Sequence, residues 1–164
     1  MATYEKIATT TLGSAASSIT FSGISNTYTD LKVVLVETSS STATQRIRFN
    51  SDTGTNYSTT ILYGTGAAAG SAQFSSSNGI ISDYYSGGSA TPSMKTFDVF
   101  SYAGSTNKTV LITNSNDKNG SGAVERMIGL WRNTAAITSI TITRDGGNYN
   151  TGTTATLYGI KESL

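Results

Sequence analysis

The chain reads as an all-β protein, an antiparallel β-sandwich of jelly-roll type with about ten short strands, and three observations carry that expectation. Runs of β-branched and aromatic residues recur at near-regular spacing, clusters of Gly, Asn, Asp and Ser separate them, and no stretch shows the 3.6-residue periodicity of an amphipathic helix. Its 164 residues suit a single domain, spanning 1–164, able to bury roughly 70% of the surface its unfolded chain would expose.

Tyr4 to Leu12 is a strand of low hydrophobicity, and the small residues Gly13 to Ser17 turn into a second, Ser18 to Phe21, with Ile19 and Phe21 on one face. After a loop at Gly23 to Thr29, Leu31 to Val36 is apolar on both faces. Leu31, Val33 and Leu35 point one way and Val34 and Val36 the other. Such a strand belongs in the middle of a sheet, covered on both sides, by the second sheet and by either a loop or a neighbouring subunit. Gln45 to Phe49 alternates Ile47 and Phe49 against Arg46 and Arg48. Asn50 to Asn56 is a turn, since Asp, Asn and Ser bond their own backbone there, and Tyr57 to Tyr63 returns as a strand.

Gly64 to Gly70 is a loop, and Phe74 to Asp83 is expected to hold one strand with Ile80 and Ile81 its firmest part. Tyr84 to Thr91 is a loop. Met94 to Phe100 follows with Phe97 and Val99 facing the core, then Thr109 to Thr113, a long polar turn at Asn114 to Gly122, and strands at Val124 to Arg132, Ile137 to Arg144 and Thr153 to Ile160. Asp52 to Tyr57 with Leu62-Tyr63-Gly64 is echoed by Asp145 to Tyr149 with Leu157-Tyr158-Gly159. Two such units suit a jelly roll built of two Greek keys.

Composition narrows the function. Ser and Thr make up roughly a third of the chain, far above ordinary usage, while only 13% of residues are charged. The regular β-branched runs and the single Pro argue against a mucin-like stalk and for a β domain with hydroxyls on its wet faces. A formal net charge of +1 encodes no pull toward nucleic acid or anionic membrane. With no Cys there is no disulfide or thiolate site, and with no His the commonest general base and metal ligand are both missing. No apolar run reaches the roughly 18 residues of a membrane-spanning helix, and no signal peptide opens the chain.

Motifs that suggest chemistry have plainer readings. Gly64 to Gly70, GTGAAAG, resembles a nucleotide loop, but the following SAQFSSSNG lacks the helix that a dinucleotide site requires. Asp52-Thr53-Gly54-Thr55 matches the short signature of aspartic proteases, yet it sits inside a polar turn rather than leaving a buried apolar strand. Asn114 to Asn119, NSNDKN, offers oxygen ligands with Lys118 where a calcium loop needs one, so a solvated turn is expected. The Asn-x-Ser/Thr triplets at Asn56, Asn107 and Asn119 matter only in a eukaryotic secretory pathway. Carboxylates are scattered and mostly sit in expected turns, with Asp98 and Glu125 as exceptions. No catalytic residue, metal or cofactor is expected, and the chain is read as a non-enzyme.

Binding is the better-supported class. Tyr57, Tyr84, Tyr85 and Tyr149 lie beside Gly and Asn, where an aromatic face can stack on a sugar ring and amides can bond its hydroxyls; capping the sandwich ends or packing in subunit contacts is the plainer alternative. Trp131 fits a core, a subunit interface or the surface. Arg46 and Arg48, on one polar face, are candidates for interface salt bridges or simply a solvated face.

Several pieces also form a recurring pattern: the Tyr-Glu opening and the Thr/Ser-rich strands at Tyr4 to Leu12 and Ser18 to Phe21, Thr-Tyr-Thr-x-Leu leading into Thr27 to Val36, Arg-Phe-Asn-x-Asp-x-Gly-x-Asn-Tyr at Arg48 to Tyr57, Leu-Trp-Arg-x-Thr at Leu130 to Thr134, and Leu-Tyr-Gly-Ile-Lys at Leu157 to Lys161. In this the chain resembles small virion proteins of tailed bacteriophages, especially those of cyanobacteria and other marine bacteria. The resemblance implies a jelly-roll-like structural protein, assembled in the host cytoplasm into the virion as a homotrimer or higher oligomer beside capsid or tail components. The expected role is a head decoration or cement protein, with contacts through Leu31 to Val36, the Arg46/Arg48 face and Trp131. The alternative is a tail-fibre or baseplate module that recognises host surface glycan through the loop tyrosines.

Overall fold

The computed structural model describes residues 3–85, 88 and 90–161. Residues 86, 87 and 89 of the loop expected at Tyr84 to Thr91 lie outside the described residues, as do the chain ends of the expected 1–164 domain. The described residues form strands β1 (Thr3–Thr11), β2 (Ser18–Ser22), β3 (Asp30–Glu37), β4 (Gln45–Phe49), β5 (Tyr57–Gly64), β6 (Ala69–Ser77), β7 (Ile80–Ile81), β8 (Ser93–Phe100), β9 (Lys108–Asn116), β10 (Ala123–Trp131), β11 (Ser139–Arg144) and β12 (Thr154–Lys161). Every pairing among them is antiparallel.

One sheet has the order β1-β12-β3-β8-β9-β10-β5-β6 and the other β2-β11-β4-β7. Leaving out the hairpins β5-β6 and β9-β10 reduces these to β1-β12-β3-β8 facing β2-β11-β4-β7, the winding of a jelly roll in which a long antiparallel strip is rolled so that successive strands alternate between sheets except at β4 and β7, which pair at its end. The two hairpins widen one sheet only. The smaller sheet therefore covers part of the larger one, and β5 and β6 extend toward an open edge.

The inward rows are those that alternation selects. Leu31, Val33, Leu35, Phe97, Val99, Val110 and Ile112 from the large sheet meet Ile19, Phe21, Ile47, Phe49, Ile140 and Ile142 from the small one, all buried. Leu31, Val33 and Leu35 are thus core residues, which corrects their assignment to a subunit interface. The expectation that β3 is covered on both sides holds for one face alone: Val34 is half-buried and Val36 remains 44% exposed. Trp131 is fully buried as well, stacked on Tyr57 at 6.1 Å between ring centroids and 5.5 Å from Phe49. It is a core residue and makes no external contact.

The eleven segments read as strands, about ten in the expectation, become twelve because Phe74 to Asp83 divides. β6 ends the large sheet while β7 crosses to the small one, where Ile81 N also bonds Thr59 Oγ1 at 3.0 Å. Gly129 permits that crossing, since a Cβ there would lie 2.3 Å from Ile80 Cγ2. The Gly64 to Gly70 segment is a tight hairpin rather than a loose loop. Thr65 N donates to Ala68 O at 2.9 Å, with Gly66 at φ 81° in the first central position of a type II′ turn. β9 also runs three residues further than expected, so Asn114 to Asn116 are strand and the turn starts at Asp117.

The two echoed turns occupy like positions, each carrying the chain from the small sheet to the large one, β4 to β5 and β11 to β12. Each tucks its tyrosine inside. Tyr57 Oη accepts from Phe49 N and donates to Asp52 O, both at 3.1 Å, and Tyr149 Oη accepts from Gln45 Nε2 at 2.9 Å. Burial pushes the Tyr57 phenol up to about 12, and burial together with the Glu37 carboxylate pushes Tyr149 well above the ordinary range. Both rings are fully buried, so Tyr57 and Tyr149 are removed from the set of glycan contacts.

Candidate functional site

At one end of the sandwich the inward rows change from apolar to polar. In β3 the sequence Leu31, Val33, Leu35 is continued by Glu37; in β8, Phe97 and Val99 are preceded by Lys95; in β10, Met127 by Glu125; in β11, Ile142 is followed by Arg144. Strand register then sets Lys95, Asn114, Glu125 and Tyr63 side by side across the large sheet. Lys95 is fully buried between Glu37 Oε1 and Asp83 Oδ2, the latter at 3.1 Å. Arg144 Nη1 lies 3.5 Å from Glu37 Oε1 and 3.9 Å from Asp83 Oδ2, and its Nη2 donates to Ser41 O and Ala43 O. Gln45 joins the cluster by donating to Glu37 Oε2 at 2.8 Å and accepting from Ser82 Oγ at 2.9 Å.

This network fixes a surface feature. Glu125 Oε1 accepts from Tyr84 N at 3.1 Å and Tyr85 N at 2.6 Å, while its Oε2 accepts from Asn114 Nδ2 at 2.7 Å. A buried carboxylate thereby holds the backbone of two adjacent tyrosines whose rings face outward, 42% and 48% exposed. The rings gather with two from the β5-β6 hairpin. Tyr63 lies 4.2 Å from Tyr85 and 5.8 Å from Tyr84, and Phe74 meets Tyr84 edge-on at 5.7 Å.

Beside this cluster, where the small sheet stops short of β6, is a hollow of about 370 Å³ lined by Thr42, Thr44, Arg46, Phe74, Asp83 and Tyr84 among others. Arg46 is held in place by Asp145 Oδ2 and Ser77 Oγ, both at 2.8 Å. Asp83 is 3% exposed, and its Oδ1 has no hydrogen-bond partner among the described residues. A buried carboxylate oxygen without a donor is costly to the fold. An aromatic face, a carboxylate, a guanidinium and two threonines around one hollow form a set suited to a hydroxyl-rich ring. A larger hollow of about 470 Å³ lies on the outer face near Met94, Ser115, Asp117 and Val124, but no aromatic ring lines it.

Of the residues singled out in the sequence, Arg46 and Tyr84 meet at this hollow and Tyr85 adjoins it. Arg48 does not; its Nε donates to Asn78 O at 2.6 Å on the outer side of the small sheet. Asp83, Phe74 and Tyr63 are site residues that the sequence pattern does not single out, although Asp83 immediately precedes the tyrosine pair. Asp52 is the hub of a turn, its carboxylate accepting from Trp131 Nε1 at 2.8 Å, Asn56 Nδ2 at 3.0 Å and Gly54 N at 2.8 Å. The Trp131 bond, then the Asn56 bond, hold its carboxyl below the ordinary value. Asp98 and Glu125 face opposite sides of the large sheet, Asp98 pairing with Lys32 at 2.6 Å, and so do not flank one substrate. Asn114 is buried in β9, which takes it out of the expected polar turn, and among the described residues no three acidic side chains gather where a metal ion would sit.

No family model matches the chain, and no curated protein matches its sequence. Among solved structures it is similar to the Caenorhabditis elegans galectin LEC-6, at 9% identity and a TM-score of 0.40 over 94% of this chain and 96% of that one. It is also similar to domains LG4-5 of the mouse laminin α1 chain, at 14% identity and a TM-score of 0.31 over 91% of this chain and 40% of that one. The jelly-roll assignment rests on the strand order described above.

Proposed function

We propose that this chain is a non-catalytic recognition module carried on a bacteriophage virion, and that it binds host surface glycan in the hollow between Arg46, Phe74, Asp83 and Tyr84. The observation that carries the reading is the conjunction of an exposed, backbone-anchored Tyr84 ring with the Arg46 guanidinium and the Asp83 side chain lining the same hollow. Binding rather than hydrolysis follows from the lining, which includes one carboxylate where glycoside cleavage employs a pair. The virion setting comes from the sequence resemblance. The test is titration of the purified chain with host-envelope polysaccharide by calorimetry, alongside Tyr84→Ala. Loss of one stacking face is worth roughly tenfold in affinity. Equal binding by wild type and Tyr84→Ala, or no binding by either, rejects the reading.

A head decoration or cement role is the second reading, favoured by the outer face of the large sheet. There Val36 pairs with Met94, Leu62 with Arg126 and Ile128 with Leu111, and Val36, Met94, Leu62 and Ile128 are all exposed. Immunogold labelling of purified virions separates the two: label over the head supports decoration, and label at the tail supports the recognition module.

A further inference from the structure

We infer that β6 is a pairing edge, and that a second copy of this chain adds its own β6 there in antiparallel register. A sheet edge presents unpaired N–H and C=O groups, and monomeric proteins blunt such edges with charge, bulges or brevity. The other three edges of this sandwich are blunted in those ways. β1 carries Glu5 and Lys6 and a bulge between Lys6 and Ala8, β2 has five residues and β7 has two. β6 has nine residues, AGSAQFSSS, with no charge and no Pro. Its one irregularity lies toward the far end, where the register with β5 shifts and Ser76 takes φ 52°, leaving Ala69 to Phe74 regular.

The hairpin turn fixes which groups face outward. Because Thr65 N donates to Ala68 O, bonded and non-bonded pairs alternate from there: Tyr63 with Gly70 and Ile61 with Ala72 bond within the hairpin, whereas Ala69, Ser71 and Gln73 direct their N–H and C=O away from β5. No backbone bond from these three to any other segment is present among the described residues. The outward set is symmetric about Ser71. A two-fold axis normal to the sheet, midway between the two strands at Ser71, sets Ser71 against Ser71 of the second copy and Ala69 against Gln73 of the second copy, forming about six ladder bonds. No like charges oppose each other, since the strand has none. The axis keeps both small sheets on the same side, so the two hollows flank one continuous sixteen-stranded sheet, following from two sheets of eight. The inference stands whether or not those hollows bind glycan. It also gives a pair of chains, in place of the trimer or higher oligomer that the sequence resemblance implies.

The chain contains no Cys, so Ser71→Cys introduces a single thiol. Directly opposed residues of a bonded antiparallel pair have Cα atoms about 5.5 Å apart, within the span a disulfide bridges. Mild oxidation joins two Ser71→Cys chains through loss of two thiol hydrogens to the added oxidant, and is expected to yield a covalent dimer much faster than Thr20→Cys, an exposed control on β2. In sedimentation equilibrium the wild type has twice the 17.1 kDa chain mass. Ser71→Pro, which removes an outward N–H and no bond to β5, halves that mass while keeping the wild-type circular dichroism spectrum. A wild type of single-chain mass at all loading concentrations overturns the inference. So do equal cross-linking rates for the Ser71→Cys and Thr20→Cys variants, or an oligomer that a folded Ser71→Pro leaves intact.

Discussion

Lys95→Met tests whether the buried ionic cluster holds its end of the sandwich together. Lys95 is fully buried, its ammonium shared between Glu37 and Asp83, and Arg144 is the other cation against the same two carboxylates. The four groups are formally neutral together. Methionine fills a similar volume but leaves two buried carboxylates facing one guanidinium, and breaking a buried pair on one side costs about 3–5 kcal/mol. For a domain of this size each kcal/mol lowers Tm by about 2–4 °C, so the midpoint is expected to fall by roughly 6–20 °C.

The assay is thermal and urea unfolding followed by circular dichroism, with the double variant Glu37→Gln/Lys95→Met completing a mutant cycle. If the charges are coupled as the distances indicate, the double variant is less destabilised than the two single losses combined, by about 1–3 kcal/mol. A Lys95→Met loss below about 1 kcal/mol, or additive losses in the cycle, refutes the account of the cluster. The first result means that the end is held by packing alone; the second means that the partners do not interact.

The Asp52 turn carries a pH signature. Its carboxyl lies below 3.8 in the folded chain, so its contribution is present above that unfolded value and is lost as pH falls through the lower folded value. Asp52→Asn is therefore expected to be less stable than wild type at neutral pH and to show a smaller decline between about pH 5 and pH 2 in acid unfolding. Gly129→Ala places a methyl 2.3 Å from Ile80 Cγ2, and overpacking of about 1–3 kcal/mol is expected in urea unfolding. Glu125→Ala removes the acceptor of Tyr84 N and Tyr85 N; amide hydrogen exchange at those two residues is expected to accelerate by at least about tenfold while protection in β3 persists.

Much of the fold was legible because one face of most strands is unambiguous. Ile47 and Phe49 against Arg46 and Arg48, or Ile140 and Ile142 against Thr141 and Thr143, leave one choice of inward face, and the structure makes that choice. β10 resists the same reading. Val124, Ile128 and Leu130 alternate with Glu125, Met127 and Trp131, so apolar residues stand on both faces and the pattern cannot show that Glu125 points inward. Tyr57 and Tyr149 misled for another reason. A tyrosine beside Gly and Asn looks like a loop ligand, but at both corners the phenol reaches back to satisfy groups inside the sandwich. Asp83 escaped notice because its partners, Lys95 and Arg144, come from strands 12 and 61 positions away along the chain.

The location of the hollow follows from where apolar rows give way to charge. A cluster such as Glu37, Asp83, Lys95 and Arg144 stabilises no more than a well-packed apolar core of equal volume would, so stability alone does not account for it. What an apolar replacement lacks is a way to hold polar backbone. Glu125, one row position from Asn114 and two from Lys95, anchors two consecutive peptide N–H groups of a segment that leaves the core, and Asp83 directly precedes them. The cluster and Glu125 together therefore terminate the core and fix the backbone of the two tyrosines, and one buried Asp83 oxygen is left without a donor among the described residues. A variant in which Glu125 as well as the cluster is replaced by apolar residues is expected to fold and to lose the fixed geometry of Tyr84, which places the value of the buried charge in positioning rather than in stability.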